Sequence, residues 1–392
     1  MASTAARMRA YTGPALLSFG IRPLFLAAAL WAAMAMALWA AAFSAGVAIP
    51  GRLSAAEWHM HELVFGYAPA VVAGFLLTAV PNWTGRLPVV GWPLAVLVAV
   101  WSVGRASMLL SASMPVVLAA SIDLAFLAGL ALVIAREIVV GRNWRNLKVL
   151  ILVGLLFAGN LVFHLEAANG GALGGRGIRI GVGTLILMIV LIGGRLIPSF
   201  TRNWLARRAA GPLPTPFNRF DAVAVGAAAG SIGLWVLLPG SVATGWLCLA
   251  SGVLHLARLA RWAGWRTLAE PLVTILHVGY AFVPAGFLII GARILSPGGV
   301  AGEIPHAWTA GAVATMTLAV MTRTSLGHAG RPLAANPATV AIYGAVLLAA
   351  VLRIVAEVAP GVGWMLHGSA AAWVAAYCGF AVAYWPMLGR RK

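Results

Sequence analysis

Charged side chains are scarce in this chain. They make up 9% of its 392 residues, whereas soluble domains carry about 25%, and this excludes a soluble globular protein. Acidic residues are the rarest, with 9 Asp and Glu against 27 Lys and Arg. An excess of basic charge is common in nucleic-acid-binding proteins, but no basic stripe or nucleic-acid motif accompanies it. Nucleic acid is therefore not an expected partner.

Cysteine is equally scarce. Cys248 and Cys378 both lie inside apolar runs and neither belongs to a CxxC pair, so we predict no disulfide and no thiolate zinc or redox site. The chain also lacks a CxxCH motif, which excludes covalent attachment of a c-type haem.

Long apolar runs are abundant instead. Hydrophobic residues make up 62% of the chain, and the mean hydropathy is +0.94. About twelve runs have the roughly 17 to 25 residues that a membrane span requires. Their approximate limits are 22–44, 61–82, 88–110, 114–135, 147–168, 178–198, 219–239, 241–261, 269–294, 305–323, 337–357 and 363–388. The sequence therefore predicts an all-α, polytopic membrane helix bundle that contacts the lipid bilayer and has no soluble domain.

The predicted organisation is a single integral membrane domain over residues 1–392. Six spans over 22–198 precede a basic, proline-rich loop over 199–218, and six more follow over 219–388. We read the first apolar run as an uncleaved helix, because it is longer than the apolar region of a typical signal peptide.

The basic residues predict the orientation, because Lys and Arg concentrate on the cytoplasmic side of membrane proteins. With the N-terminus in the cytoplasm, all but six of the 27 basic residues fall on the inner side. The inner set includes Arg7, Arg9, Arg86, Arg391 and Lys392, and the six exceptions are Arg52, Arg105, Arg176, Arg179, Arg293 and Arg353. We predict cytoplasmic termini and a multi-pass protein of the cytoplasmic (inner) membrane.

The eight histidines sort into two layers in this orientation. The outer layer contains His59, His61, His164, His306 and His367, and the inner layer contains His255, His277 and His328. Neutral imidazoles on separate helices suit an intramembrane haem or copper site, because they ligate the metal without adding charge. Each histidine has a simpler reading as an interfacial anchor or an interhelical hydrogen-bond partner, and His367 has the weakest claim to a metal.

Spacing within two helices refines the outer layer. His59 and His61 stand beside Glu57 and Glu62 where a long apolar run begins, but residues two apart on a helix point about 200° from each other. Both histidines serve one site only if the chain is not yet helical at His59. Asn160 and His164 are four apart and share a helix face. Asn160 is therefore predicted either to support His164 as a ligand or to bond another helix.

Two arginines lie at inner span ends. Arg195 belongs to GGRLIPSFTRN, where Pro198 is expected to stop the helix, and Arg323 belongs to MTRTSLGHAGRPL. Guanidinium groups at this depth suit haem propionates or another anion, although anchoring on the basic inner side explains such residues as well.

Four motifs together resemble the NnrS family of bacterial membrane proteins: HELVFGYAPAVVAGFLLTAVPNWTG, GGRLIPSFTRN, PLVTILHVGYAFVPAG and MTRTSLGHAGRPL, the last preceded by His306. The resemblance implies a twelve-span inner-membrane protein with non-covalent b-type haem and copper, linked to nitric oxide metabolism, denitrification and defence against nitrosative stress. It implies metal-binding roles for His59, His61, His164, His277, His306 and His328, with His255 added as a match. His367, Cys248 and Cys378 match no motif of the family.

Two functions follow. In the first, the protein binds or turns over nitric oxide at haem and copper centres, as an oxidoreductase that takes electrons from a quinol or a small donor. In the second, it is a membrane transporter or metal exporter whose histidines are transient ligands. The first is favoured because Asp123 is the only acidic residue that the predicted limits place within the interior of a span.

Overall fold

The computed structural model describes residues 11–84, 89–208, 210–299, 302–358 and 362–390, with the side chains of 80–84 excepted. Arg7, Arg9, Arg86, Arg391 and Lys392, all predicted on the inner side, lie outside these residues, as does Gly85 at the end of the first motif. None of the described residues forms a β-strand.

The described residues form twelve long helices, each of which matches one predicted span. α1 is Ile21–Ala45, α3 is Trp92–Leu109, α4 is Val116–Val140 and α5 is Leu147–Ala168. α7 is Arg219–Leu237, α8 is Val242–Ala260, α9 is Pro271–Leu295, α11 is Pro337–Val358 and α12 is Trp364–Leu388.

The other three helices each contain a π-helical segment. α2 consists of Ala55–His61, the π segment Glu62–Tyr67 and Ala68–Thr84. α6 consists of Arg176–Met188, the π segment Ile189–Gly193 and Gly194–Leu205. α10 consists of the π segment Ala307–Val313 followed by Ala314–His328.

Among the described residues, eleven helices are long and apolar enough to cross a membrane by length and composition. A helix satisfies every backbone N–H and C=O within one segment, as a hydrocarbon environment requires. The chain is therefore a multi-pass helical membrane protein, and the predicted fold class is confirmed.

The two largest differences from the predicted helix boundaries lie at the start of α2 and the end of α6. α2 begins at Ala55 because Ser54 caps it: the Ser54 side chain accepts a hydrogen bond from the Glu57 N–H, and the Glu57 carboxylate accepts one from the Ser54 N–H, a capping box. His59 is therefore already helical.

The prediction that Pro198 stops α6 is wrong, because the helix continues to Leu205, into the predicted loop. A proline removes one backbone hydrogen bond without ending a helix where neighbouring helices and local π adjustments satisfy the freed groups. The π segment Ile189–Gly193 directly precedes this part of α6.

The chain divides into two compact units. The first contains residues 1–181, 321–332 and 374–392, and the second contains 182–320 and 333–373. In the first unit α1 packs on α2, α3 on α4, and α4 on both α2 and α5. In the second unit α9 packs on α8 and on the π segment of α10, and α7 packs on α8.

Candidate metal centre

The first unit contains a buried polar cluster at the ends of α2, α3, α4 and α5 that the charge bias predicts to face outward. We call it the His61 cluster, and its members are His61, Glu62, Arg105, Asp123, Asn160 and His164. All six side chains are buried, and His164, at 9%, is the most exposed of them.

Asp123 connects two imidazoles within this cluster. Its Oδ2 lies 3.2 Å from Nε2 of His61 and 2.9 Å from Nε2 of His164. Asn160 donates from Nδ2 to the same oxygen at 2.7 Å. Its own Oδ1 lies 3.0 Å from Nε2 of His61. Four side chains from three helices therefore converge on one point.

The second carboxylate, Glu62, fixes the other side of the His61 ring. Its Oε1 lies 2.9 Å from Nδ1 of His61. Its Oε2 accepts from Trp31 at 2.8 Å and from Arg105 at 2.7 Å. The Arg105 guanidinium also bonds Asp123, so it bridges the two carboxylates. Together with the Asp123 contact, these contacts fix the orientation of the His61 ring through both of its nitrogens.

The π segment of α2 makes room for Arg105. A Cβ added to Gly66 would lie 2.5 Å from Nη1 of Arg105 and 2.8 Å from Oε2 of Glu62. The Gly66 carbonyl accepts a hydrogen bond from Trp101 at 2.9 Å, which satisfies one of the backbone groups near the changed bonding pattern. π segments occur frequently at functional sites.

The carboxylates and Arg105 of the His61 cluster do not balance in charge. Glu62 and Asp123 supply two negative charges and Arg105 supplies one positive charge. Both ring nitrogens of His61 face oxygen acceptors, so either a proton on each nitrogen or a bound metal ion completes the balance. A buried, unbalanced charge is costly, so a proton or a bound cation is expected to offset it.

The donor set fits a metal ion. One ligand atom each from His61, Asp123 and His164 lies within 4.8 Å of the others. Imidazole and carboxylate ligands bind at about 2.0–2.2 Å, so two ligand atoms on one ion stand roughly 3 Å apart. Oδ2 of Asp123 lies at such a distance from Nε2 of His61 and from Nε2 of His164. Two histidines and one carboxylate leave coordination positions open, which suits iron, and imidazoles also suit copper.

His61 and His164, both in the predicted outer layer, thus lie together, and Asn160 supports His61 and Asp123. His59 does not join them. Its ring stacks on Trp39 with centroids 4.4 Å apart, because residues two apart on a helix point to different faces.

The outer histidines of the second unit lie in other surroundings. His306 contacts Glu357 through both its backbone N–H and its ring Nδ1. His367 is exposed and its ring lies 3.1 Å from the carbonyl of Gly363, which directly precedes α12. His306 is paired with a carboxylate through Nδ1, and His367 shows only a local contact.

His255 belongs to a second buried network, the Arg258 cluster, which consists of Asp221, His255, Arg258 and Tyr280. Nε2 of His255 lies 3.1 Å from the Ala224 carbonyl, which can only accept. Nδ1 of neutral His255 therefore accepts from the Tyr280 hydroxyl at 2.8 Å. Arg258 donates to Asp221 at 3.0 Å and to Tyr280 at 3.0 Å. Both ring nitrogens of His255 are already bonded.

The remaining inner histidines are placed differently. Nε2 of His277 lies 2.8 Å from the Thr201 hydroxyl, and its Nδ1 has no hydrogen-bond partner among the described residues. His328 is exposed in the first unit and its ring lies 5.3 Å from that of Phe19. Arg195 is exposed and Arg323 is partly buried.

Sequence reasoning missed the roles of Asp123 and Arg105 in this cluster. Both interrupt apolar runs, and a charge inside a span is a functional signal by default. The charge count treats Arg105 only as one of six basic residues at outer span ends. Asp123 is likewise a ligand candidate rather than an isolated acid.

Comparisons with known proteins agree with the motifs. A family model described as NnrS protein matches residues 15–392, nearly the whole chain. A comparison with curated proteins gives no match.

Proposed function

Because the chain belongs to the NnrS family, we propose that the His61 cluster is a copper or iron centre that binds nitric oxide. The family supports a role related to nitric oxide. The observation that carries the proposal is the convergence of His61, Asp123 and His164 within 4.8 Å. When bound, such an ion supplies an open coordination position and one-electron chemistry.

The protein residues have separate tasks in this proposal. His61, Asp123 and His164 hold the ion. Glu62 orients His61, because its carboxylate lies against the ring nitrogen opposite the Asp123 contact. Partners of this kind fix the tautomer and raise the basicity of the ligand. Arg105 offsets the charge of the two carboxylates, so that the ion does not meet a strongly anionic site.

The test is the metal content and nitric oxide response of the full chain purified from its membrane. We expect bound copper or iron and an absorbance or paramagnetic-resonance change on adding nitric oxide. His164→Ala should abolish both. Asn160→Leu, which keeps all three ligands, should weaken metal affinity by about 10–100-fold, the typical effect of losing a ligand's supporting partner.

His367→Ala is the matched control, because His367 is an exposed histidine with only a local contact. Unchanged metal content and nitric oxide response in His164→Ala would refute the proposed centre. Consumption of nitric oxide with a quinol or small donor would show an oxidoreductase. The exporter alternative predicts instead that metal crosses proteoliposome membranes with wild-type protein but not with His164→Ala.

Haem stays a prediction from the family. His255 has both ring nitrogens bonded, and His277 keeps only Nδ1, so these two do not fit an iron held between them. A reduced-minus-oxidised absorbance spectrum tests for non-covalent b-type haem, and His277→Ala tests whether His277 binds it.

A further inference from the structure

A cavity of about 60 Å³ adjoins the His61 cluster in the first unit. It lies between the segment before α2 and the ends of α3, α4 and α5. Arg52, Val116 and Ala168 on its lining are exposed, whereas Met108, Ala119 and His164 are buried. The cavity therefore extends from the surface into the helices.

His164 connects this cavity to the cluster. It lines the cavity, and its Nε2 contacts Asp123 at 2.9 Å. His61 and Glu62, both fully buried, do not line it. A molecule in the cavity therefore meets the cluster at His164.

The walls favour an uncharged occupant. Leu53, Met108, Val116, Ala119 and Ala167 supply apolar surface, against which an ion loses its hydration. The Ser111 hydroxyl on the lining already accepts from the Arg52 N–H and donates to the Met108 carbonyl. The charged groups of the lining are already bonded. Arg52 donates to the Met114 carbonyl at 3.1 Å, and the Glu57 carboxylate accepts from the Ser54 hydroxyl at 2.7 Å.

The volume favours a small occupant. One water needs about 10–15 Å³ of such space and two to four polar partners. The cavity offers several times that volume, and its polar side chains are those of Arg52, Glu57, Ser111 and His164. A neutral diatomic molecule fits it in size and polarity.

We propose that this cavity is an access route and holding site for small neutral molecules of diatomic size, which reach the His61 cluster beside His164. The role of the cavity in nitric oxide binding rests on the proposed function, but the capacity of the cavity to hold a molecule of this size does not. Ala119 and Ala167 control the free space.

The experiment uses xenon as a neutral probe that needs no metal. Crystals of the full chain pressurised with xenon should show a xenon atom beside Met108 and Ala119. Ala119→Leu, and independently Ala167→Leu, should remove it by filling the cavity. Ala125→Leu is the matched control, because Ala125 is also on α4 but is exposed and lines a different surface groove.

The functional readout is the rate of nitric oxide binding to the metal-loaded protein. We expect it to be several-fold slower in Ala119→Leu and Ala167→Leu and unchanged in Ala125→Leu, with equal metal content in all. Absence of xenon from the wild-type cavity, or unchanged binding rates in both filled variants, would overturn the inference. Xenon binding without any nitric oxide response would support the cavity inference and contradict the proposed function.

Discussion

Arg105 is the residue on which the His61 cluster depends electrostatically. It bonds both Glu62 and Asp123 and is 3% exposed. Removing one partner of a buried ion pair costs about 3–5 kcal/mol, because the other charge is left uncompensated. We therefore expect Arg105→Gln to lower the free energy of unfolding in detergent by about that amount.

Arg195→Gln is the control for Arg105→Gln. Arg195 is exposed, and substitutions at such positions usually change stability by less than about 0.5 kcal/mol. Equal stability of the two variants would show that Arg105 does not neutralise the cluster.

The individual site residues were predictable to different degrees. His61, His164 and Asn160 carry their signals in the sequence, as imidazoles near span ends and as a pair four residues apart. The pairing of Arg105 with Glu62 and Asp123 joins three helices, and no spacing along the chain encodes it. The same holds for His255, whose bonds to Ala224 and Tyr280 decide that it has no open nitrogen.

The contact between α5 and α6 links helix packing to the site. A Cβ added to Gly177 would lie 2.6 Å from the Cα of Phe163, which directly precedes His164. We expect Gly177→Ala to push α5 away, to lower the free energy of unfolding by about 1–3 kcal/mol, as overpacking does, and to weaken metal binding at His164. Thermal unfolding and metal titration measure the two effects.

Gly154→Ala is the matched control on α5, because open space surrounds the added carbon. It should be neutral or slightly stabilising, since alanine favours a helix over glycine by about 0.5–1 kcal/mol. Similar losses in both variants would mean that the close approach of α5 and α6 does not position His164.

The helices themselves were predictable because hydropathy alone marks a membrane span. All twelve predicted runs are helical, and the largest errors lie at the start of α2, which Ser54 caps, and at the end of α6, which continues past Pro198. The π segments were not predicted. Their altered bonding is accompanied by contacts from distant side chains, such as Trp101 on Gly66 and Arg258 on the Val190 carbonyl.

Metal binding should affect the two units of the molecule differently. The proposed ligands all lie in the first unit, and a ligand that binds only the folded state stabilises it by about 2.7 kcal/mol at a hundred times its dissociation constant. We expect copper or iron to slow hydrogen exchange in α2, α4 and α5 but not in α7, α8 and α9. Exchange mass spectrometry with and without a chelator measures this.

His61→Ala should remove that protection while leaving exchange in α7, α8 and α9 as it was. Equal protection of both units by metal would contradict a single centre in the first unit. The division into units could not be predicted from the sequence, because the two units alternate along the chain. Residues 333–373 belong to the second unit, whereas the residues that follow, 374–392, belong to the first. The predicted halves follow chain order instead.

The π segment of α2 has a rotational consequence. Compared with an α-helix, one π turn accommodates one extra residue, and at 3.6 residues per turn one residue is worth about 100° of rotation. His61 therefore stands out of phase with the C-terminal part of its own helix, Ala68–Thr84. The two parts of α2 therefore face independent directions. His61 faces Asp123, and Ala68–Thr84 packs on α1. A chain shortened by one residue within Glu62–Tyr67 would keep its span but turn His61 away from its partners.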